Sequence, residues 1–237
     1  MSIGLQLSGS FYLEDQTLFS DLSFEVAAGQ WTCLLGSSGI GKSTLLRLLA
    51  GLHTGGEFEG IITASNGMDA YSQVAYMAQT DLLLPWLTLR DNVMLGSHLR
   101  GEVDNPERAD ALIEQVGLSS HTHKRMYELS GGMRQRTALA RTLMENKPIV
   151  LLDEPFSALD AKTRHEMQTL AFEMLADKTL LLVTHDPAEA IRLSHRLFVM
   201  DTSGVSSYPV PDTPPARIVN DSATLAAQAE LLLALKS

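Results

Sequence analysis

The stretch 36-GSSGIGKST-44 combines the residue types that proteins use to bind phosphate groups. Its glycines let the backbone curve so that N–H groups point at phosphate oxygens, and a helix predicted to begin at residue 42 adds the positive end of its dipole. An apolar strand, 31-WTCLL-35, precedes it, so strand, glycine-rich loop and helix follow in the order of a phosphate-binding loop. The predicted phosphate-binding residues are Gly36, Ser37, Ser38, Gly39, Gly41, Lys42, Ser43 and Thr44.

Two side chains of this loop have distinct predicted roles. Lys42 supplies a positive charge to the β- and γ-phosphates of a nucleotide, and the Ser43 hydroxyl is a ligand for Mg²⁺. The alternative is a glycine-rich turn that contains Lys-Ser by chance. A strand before the loop and a helix after it make that alternative unfavourable.

A second polar pair ends the continuous apolar run 149-IVLLDE-154, which predicts a strand buried on both faces. Asp153 is placed to hold Mg²⁺ through water, and Glu154 to polarise an attacking water molecule. Taken alone, these acids are equally compatible with a strand end exposed to solvent. Together with the phosphate-binding loop they indicate hydrolysis.

A third stretch, 128-ELSGGMRQR-136, also has the composition of an anion-binding helix start. Ser130, Gly131 and Gly132 would present a hydroxyl and backbone N–H groups at the beginning of a helix predicted over 131–145. The alternative is that Ser130 is an ordinary N-cap and the two glycines form a fraying first turn.

The run 129-LSGGMRQR-136 resembles the signature sequence of ABC transporter ATPases, and the other motifs of that family follow the same order here. Gln79, in 76-YMAQTDLLLPW-86, resembles the glutamine that contacts Mg²⁺ or the attacking water. Asp160, in 157-SALD-160, resembles the acid that reaches across a dimer. His185, in 183-VTHD-186, resembles the switch histidine that contacts the γ-phosphate and supports Glu154.

Each of these three assignments has a simpler alternative. Gln79 could be a surface residue at a strand end, and Asp160 could be the N-cap of a helix over 161–176. His185 could be structural. The resemblance also implies an aromatic residue that stacks on adenine near the end of the first strand, for which Tyr12 is the candidate and Phe11 and Phe19 are rivals.

The resemblance implies that two copies of the chain face each other head to tail with two ATP molecules between them. Each ATP would contact the phosphate-binding loop of one copy and the signature of the other, with Mg²⁺ held by Ser43, Gln79 and Asp153. An integral-membrane permease, and a periplasmic or surface solute-binding protein, are the further partners implied. The apolar segment 82–86 is either a docking surface for the permease or ordinary loop packing.

The elements that must position these residues alternate between strands and helices, which predicts an α/β fold with a mostly parallel core sheet. The predicted strands are 3–13, 22–26, 31–35, 59–64, 73–78, 148–153, 179–184 and 196–200. The predicted helices are 42–52, 106–118, 131–145, 161–176 and 187–195. The resemblance adds a P-loop NTPase core, an N-terminal antiparallel β subdomain and an inserted helical subdomain.

We expect an ATPase domain over residues 1–205, with the helical subdomain at about 88–145, and a linker and C-terminal helix over 206–237. The stretch 208-YPVPDTPPAR-217 predicts an extended proline-rich linker. A last helix is predicted at about 222–236 with Ser222 as its N-cap. Its leucines would pack back on the domain or form a dimer contact.

Composition limits the classes of function. The net charge of -10 argues against nucleic-acid binding and gives no affinity for anionic lipid. No apolar run approaches a membrane span of about 18 residues, and the N-terminus lacks the pattern of a signal peptide. The single cysteine, Cys33, is predicted to be a core residue, which fits a reducing cytosol. With the permease that the resemblance implies, the expected location is peripheral, at the cytoplasmic face of the inner membrane.

Within the family, 80-TDLLLPWLTLRDNV-93 and 155-PFSALDAKTRHEM-167 resemble importer ATPases of the nitrate, sulfonate and taurine type. The segments 29-GQWTCLLGSSG-39 and 208-YPVPDTPPAR-217 resemble members of that group thought to serve uptake of hydroxymethylpyrimidine, a thiamine precursor. The alternatives are a soluble ABC ATPase with no membrane partner and an exporter ATPase. The chain has one ATPase unit and no sustained heptads, which disfavours the first of them.

Overall fold

The computed structural model describes residues 2–14, 16–202 and 204–235. A three-stranded antiparallel sheet in the order β2-β1-β4 is built from β1 (Leu5–Leu13), β2 (Gln16–Val26) and β4 (Glu57–Ala64). The predicted N-terminal antiparallel subdomain is confirmed, although β2 begins at Gln16 rather than at residue 22. The register of β1 against β2 shifts at Phe11, where a β-bulge interrupts the alternation of side chains.

The second sheet has the strand order β5-β6-β7-β3-β8-β9. Its parallel strands are β3 (Trp31–Gly36), β5 (Val74–Met77), β6 (Ile149–Asp153), β7 (Thr179–Thr184) and β8 (Arg196–Asp201). The mostly parallel core sheet predicted from the sequence is confirmed. The final strand, β9 (Gly204–Tyr208), pairs antiparallel to β8 and was not predicted.

Eight α-helices surround these sheets in the described part of the chain. They are α1 (Lys42–Leu49), α2 (Leu89–Val93), α3 (Leu95–Arg100), α4 (Pro106–Gln115), α5 (Gly131–Met144), α6 (Ala161–Met174), α7 (Pro187–Leu193) and α8 (Ser222–Ala234). Helices α2 to α5 come between β5 and β6 in the chain, which is where the inserted helical segment was predicted. None of the described helices is long and apolar enough to cross a membrane.

The core sheet is covered on both faces. Side chains alternate between its faces, so Leu34 packs with α1 and the N-terminal sheet, while Cys33 and Leu35 pack with the helical side. Cys33 is fully buried, as predicted, and burial raises the pKa of its thiol. Burial on both faces fixes the carboxyl ends of β3, β6 and β7, where the predicted functional residues lie.

The segment after β9 is held to the domain more firmly than a linker would be. Arg217 is buried, and its guanidinium donates hydrogen bonds to the carbonyls of Ile191, Ser194 and Pro211. It thereby fastens the proline-rich segment to the C-terminal end of α7. The predicted N-cap of α8 is wrong by one residue, because the Asp221 side chain, not Ser222, accepts the capping hydrogen bond from the Thr224 N–H.

Candidate active site

The glycine-rich loop lies between β3 and α1, as predicted. Gly39 and Gly41 have φ angles of 84° and 109°, which favour glycine because a Cβ atom is strained there. A Cβ on Gly36 would lie 2.5 Å from the Met200 carbonyl oxygen, so this position also requires glycine. No described side chain caps the start of α1, which leaves its first N–H groups available to an anion.

Lys42 lies beneath this loop with only 4% of its surface exposed. Its ammonium group donates to the carbonyls of Gly36 and Ser37 at 2.8 and 2.9 Å and lies 3.8 Å from a Glu154 oxygen. Burial lowers the pKa of Lys42, and the charges of Glu154 and Asp153 oppose that shift. The buried cation is therefore fixed at the base of the loop, as its predicted role requires.

The carboxylate of Asp153 joins the loop to β6. The Ser43 hydroxyl donates to one Asp153 oxygen at 2.9 Å, and the Tyr76 hydroxyl donates to the other at 3.0 Å. Burial, with help from the Asp153 charge, raises the pKa of Tyr76 to about 12, so this donor keeps its proton across the physiological range. Tyr76 was not predicted as a site residue. The sequence did contain one sign of this role, because a tyrosine in a buried strand needs a hydrogen-bond partner for its hydroxyl group.

Glu154 is the point at which three elements meet. One of its carboxylate oxygens lies 2.8 Å from Nδ1 of His185, after β7, and 3.2 Å from the donating Nε2 of Gln79, after β5. Its backbone has φ = 44°, a left-handed conformation that is uncommon for a residue other than glycine. The structure thus brings together Glu154, His185, Gln79 and Lys42, which the sequence placed on four separate segments.

The three candidates for the adenine-stacking residue differ in their burial near this pocket. Among the described residues, Leu13 and Leu18 line the pocket beside the phosphate-binding loop, and Tyr12 does not. The rivals Phe11 and Phe19 are buried against each other with ring centroids 5.9 Å apart. Tyr12 is half-buried and therefore the least buried of the three candidates, and its stacking on adenine stays a prediction.

The signature residues form a second, separate groove. Ser130 caps α5 by accepting from the Met133 N–H at 3.3 Å, and Asp160 caps α6 by accepting from the N–H groups of Lys162 and Thr163. The starts of the two helices line one open groove of about 680 Å³. Ser130 and Asp160 are therefore helix N-caps, as the simpler alternatives proposed. Both residues also line a groove large enough for a ligand.

Gly132 lies against α6. A Cβ at this position would lie 2.8 Å from a methyl carbon of Thr163, whereas a Cβ on Gly131 would meet open space. The first glycine thus faces the groove and the second lets α5 lie against α6. The described lining of this groove shares no residue with the pocket at the phosphate-binding loop.

These features define an ATP-binding domain of the P-loop class. They are a parallel sheet covered on both faces, a glycine-rich loop over a buried lysine, and an adjoining Asp-Glu pair. The chain belongs to the ABC transporter family, whose model matches residues 19–157. It is an ATP-binding subunit with the ATPase activity of that family.

Relatives with similar sequences span most of the chain. It is 51% identical over 193 residues to an uncharacterized ABC transporter ATP-binding protein of Haemophilus influenzae, covering 81% of this chain and 79% of the relative. It is 43% identical to an aliphatic sulfonates import ATP-binding protein of Rhodococcus jostii, covering 86% and 82%. It is 39% identical to a taurine import ATP-binding protein of Roseobacter denitrificans, covering 76% and 69%.

Solved structures have the same fold. An ATP-binding cassette in a dimeric, post-hydrolysis state with ADP and Pi matches with a TM-score of 0.73 and 26% identity, covering 88% of this chain and 100% of that one. A metal-chelate type ABC transporter in an inward-facing conformation matches with a TM-score of 0.75 over 96% and 89%. At 24% identity, the second likeness supports the fold alone.

Proposed function

We propose that this chain is the ATP-hydrolysing subunit of a bacterial importer and that it energises uptake of a small solute through ATP-driven closure of a homodimer. The observation that supports hydrolysis most directly is the convergence of Lys42, Gln79 and His185 on the Glu154 carboxylate. The names of the sulfonate and taurine relatives favour import over export. Within this proposal, residues 1–205 are the ATPase domain and 206–237 an appended segment.

In this mechanism Glu154 accepts the proton of the attacking water, and His185 holds the carboxylate in place from the end of β7. Lys42 and the N–H groups of the loop stabilise negative charge on the transferring phosphoryl group. Gln79 donates to the same Glu154 oxygen that His185 contacts and would orient the water from there. All these groups are already positioned before the reaction, which reduces the reorganisation that the transition state requires.

The residues proposed to hold Mg²⁺ are Ser43, Asp153 and Gln79. The Ser43 hydroxyl and an Asp153 oxygen are in contact, and oxygen ligands of this kind suit the ion. The described residues contain no group of three His, Cys, Asp or Glu side chains able to hold a metal by themselves, which fits an ion bound largely through nucleotide phosphates and water. When bound, Mg²⁺ neutralises charge on the β- and γ-phosphates.

The groove at the starts of α5 and α6 is proposed to receive the ATP of a second copy of the chain. Ser130, Gly131 and Gly132 would bind its γ-phosphate, and Asp160 would contact the facing copy. Two helix N-termini point into the groove, so their dipoles favour an anion there. Because ATP would contact both copies, it stabilises the closed dimer specifically.

The proposed contact with the permease is the loop before α2. Leu82 and Trp86 are 61% and 67% exposed, whereas Leu83 between them is buried in the helical core. Arg141 donates to the carbonyl of Leu82, and the buried side chain of Asn92 pairs with the backbone of Leu84. One side chain of the loop, Leu83, thus anchors it in the core, and two large apolar side chains, Leu82 and Trp86, remain exposed to a partner.

The chain would then lie at the cytoplasmic face of the inner membrane, attached through the permease, with a periplasmic or surface solute-binding protein as a further partner. Its charge of -10 supports attachment through protein and disfavours nucleic acid.

Hydroxymethylpyrimidine is the first solute to test, on the resemblance of segments 29–39 and 208–217, followed by sulfonates, taurine and nitrate. Calorimetric binding of each solute to the cognate solute-binding protein distinguishes these candidates.

Hydrolysis is tested with Glu154→Gln, with Glu173→Gln on the exposed face of α6 as the matched control. The amide cannot accept the water's proton, so turnover should fall at least about a hundredfold while ATP still binds. The control should hydrolyse ATP like the unmodified protein. Normal turnover by Glu154→Gln would show that Glu154 does not have this role.

The shared site is tested with Ser130→Arg, using Ser206→Arg on the exposed edge strand β9 as control. The arginine would fill the groove and block closure, yet it leaves the phosphate-binding loop of the same copy untouched. Monomeric ATP binding should persist while ATP-dependent dimerisation of the Glu154→Gln background disappears in sedimentation. Undiminished dimerisation would contradict the two-copy site.

A further inference from the structure

A small cavity of about 250 Å³ lies next to the residues proposed to carry out hydrolysis. Its lining includes Glu154, His185 and Glu189 of α7. Glu189 is 5% exposed, and its Oε1 atom has no hydrogen-bond partner among the described residues, although the Gln168 side chain lies near enough to favour a lower pKa for the carboxyl. A buried carboxyl with an unpaired oxygen is costly, so its position beside this site calls for a functional explanation.

The other oxygen of Glu189 is connected to the turn that carries His185. The buried hydroxyl of Thr184 donates to Oε2 of Glu189 and accepts a hydrogen bond from the Asp186 N–H at 3.0 Å. Thr184 and Asp186 are the two neighbours of His185 in the chain. The carboxyl of Glu189 therefore fixes the backbone on both sides of the histidine through a single hydroxyl group.

We propose that Glu189 is a positioning residue for ATP hydrolysis, which holds the Thr184–Asp186 turn and thereby keeps His185 against the Glu154 carboxylate. This inference rests on the proposed function of Glu154 and His185. Glu189 itself makes no contact with the nucleotide in this scheme. Its effect reaches the reaction through the 2.8 Å contact between His185 and Glu154.

The protonation state of Glu189 then affects the turn. Burial raises the pKa of Glu189 to about 7, and the hydrogen bond from Thr184 opposes the shift. The Asp186 charge raises this pKa further and the Arg164 charge lowers it. The Glu189 charge acts in turn on two further titratable groups, Arg192 on the same helix and the Cys33 thiol on β3, and it favours a higher pKa for both.

The two protonation states of Glu189 differ in their hydrogen bonds. The ionised carboxyl only accepts, so it orients the Thr184 hydrogen toward itself and leaves the hydroxyl oxygen free for the Asp186 N–H. The neutral acid can donate to Thr184 instead, and then it competes with that N–H. Turnover should therefore decrease as the pH falls through about 7, where Glu189 takes up a proton.

The decisive variant is Glu189→Gln in the full chain, because its amide has a donor and an acceptor, like the neutral acid, and does not titrate. We expect its kcat to be about three- to tenfold below that of the unmodified protein at about pH 8 and equal to it at about pH 6, since a group with pKa near 7 is then mostly protonated. The pH dependence that arises from other groups is common to both proteins and cancels in the ratio of their kcat values. Glu173→Gln is the control and should leave the ratio constant.

A second measurement does not depend on turnover. The backbone amide NMR signal of Asp186, whose N–H donates to the Thr184 hydroxyl, should show an inflection at about pH 7 that Glu189→Gln removes. Thr184→Val should lower kcat with little change in KM, and combining it with Glu189→Ala should cost no more than either change alone, since the two residues act through one hydrogen bond.

The outcomes separate this inference from the proposed function. If Glu154→Gln abolishes hydrolysis but Glu189→Gln has the pH profile and the Asp186 amide signal of the unmodified protein, Glu189 has no positioning role and only the inference fails. If Glu154→Gln still hydrolyses ATP, the function proposed for Glu154 fails. The Asp186 amide signal then decides whether Glu189 still controls the turn, and an unchanged inflection in Glu189→Gln overturns that as well.

Discussion

Replacement of Arg217 by alanine tests whether the segment after β9 is an integral part of the domain. The side chain donates three hydrogen bonds, at 2.6 and 2.8 Å to the carbonyls of Ile191 and Ser194 and at 2.7 Å to Pro211. In the described residues its Nε atom has no partner, and burial lowers the pKa of the guanidinium. Part of the gain from the three bonds is thus offset by desolvation of the charge.

The expected loss of stability follows from these contacts. Hydrogen bonds to a charged group contribute about 1.5–3 kcal/mol each, and allowing for desolvation and for water reaching the freed carbonyls leaves a net loss of about 3–4 kcal/mol. Because a domain of this size changes its melting temperature by about 2–4 °C per kcal/mol, Arg217→Ala should melt about 6–16 °C lower. Thermal unfolding followed by circular dichroism, without nucleotide, measures this.

Arg196→Ala is the matched control, because Arg196 forms an exposed ion pair with Glu25 at 2.8 Å. Pairs of this kind contribute less than about 1 kcal/mol, so this variant should melt within about 4 °C of the unmodified protein. Arg217→Lys should recover little of the loss, since one ammonium group cannot reach three carbonyls on two segments. A melting temperature for Arg217→Ala within about 2 °C of the unmodified protein would refute the reasoning.

Two further predictions concern the nucleotide pocket. Tyr76→Phe removes a hydrogen bond to Asp153 and should raise the Mg²⁺ concentration needed for half-maximal ATPase activity about tenfold, which a magnesium titration measures. An unchanged requirement would mean that the phenol does not support the metal ligand. Leu13→Ala should raise KM for ATP about three- to tenfold, because it removes apolar surface at the pocket mouth, whereas Tyr12→Ala should leave KM unchanged. The opposite ranking would support the prediction that Tyr12 stacks on adenine.

The fold could be predicted because its signals are local and repeated. Continuous apolar runs such as 149-IVLLD-153 indicated strands buried on both faces, and glycines and caps indicated where helices begin. The edge strand β9 was missed because Gly204–Tyr208 is short, rich in serine and only partly buried. Its pairing with β8 is decided by the neighbouring strand and leaves little trace in its own sequence.

The phosphate-binding loop and the Asp153-Glu154 pair were found because adjacent residues carry most of their chemistry. The residues that were missed act across the chain. In the sequence, Tyr76 is indistinguishable from any residue of a core strand. Only the pairing of β5 with β6 brings Asp153 within hydrogen-bond distance of its hydroxyl. In the sequence, Glu189 is indistinguishable from an acid on the solvent-facing side of a helix, yet in the structure it is buried. Arg217 is likewise indistinguishable from a linker residue, yet it is buried against α7. Tertiary packing, which no local pattern contains, decides each of these roles.

The left-handed backbone of Glu154 has a consequence for selection experiments. Glycine, and to a lesser extent asparagine, adopts a φ of 44° with less strain, so the native glutamate costs stability on the order of 1 kcal/mol. A library screened for heat resistance alone would therefore enrich glycine or asparagine at this position. Such proteins would survive heating and still fail to turn over ATP, so a screen for robust variants of this protein must also select for hydrolysis.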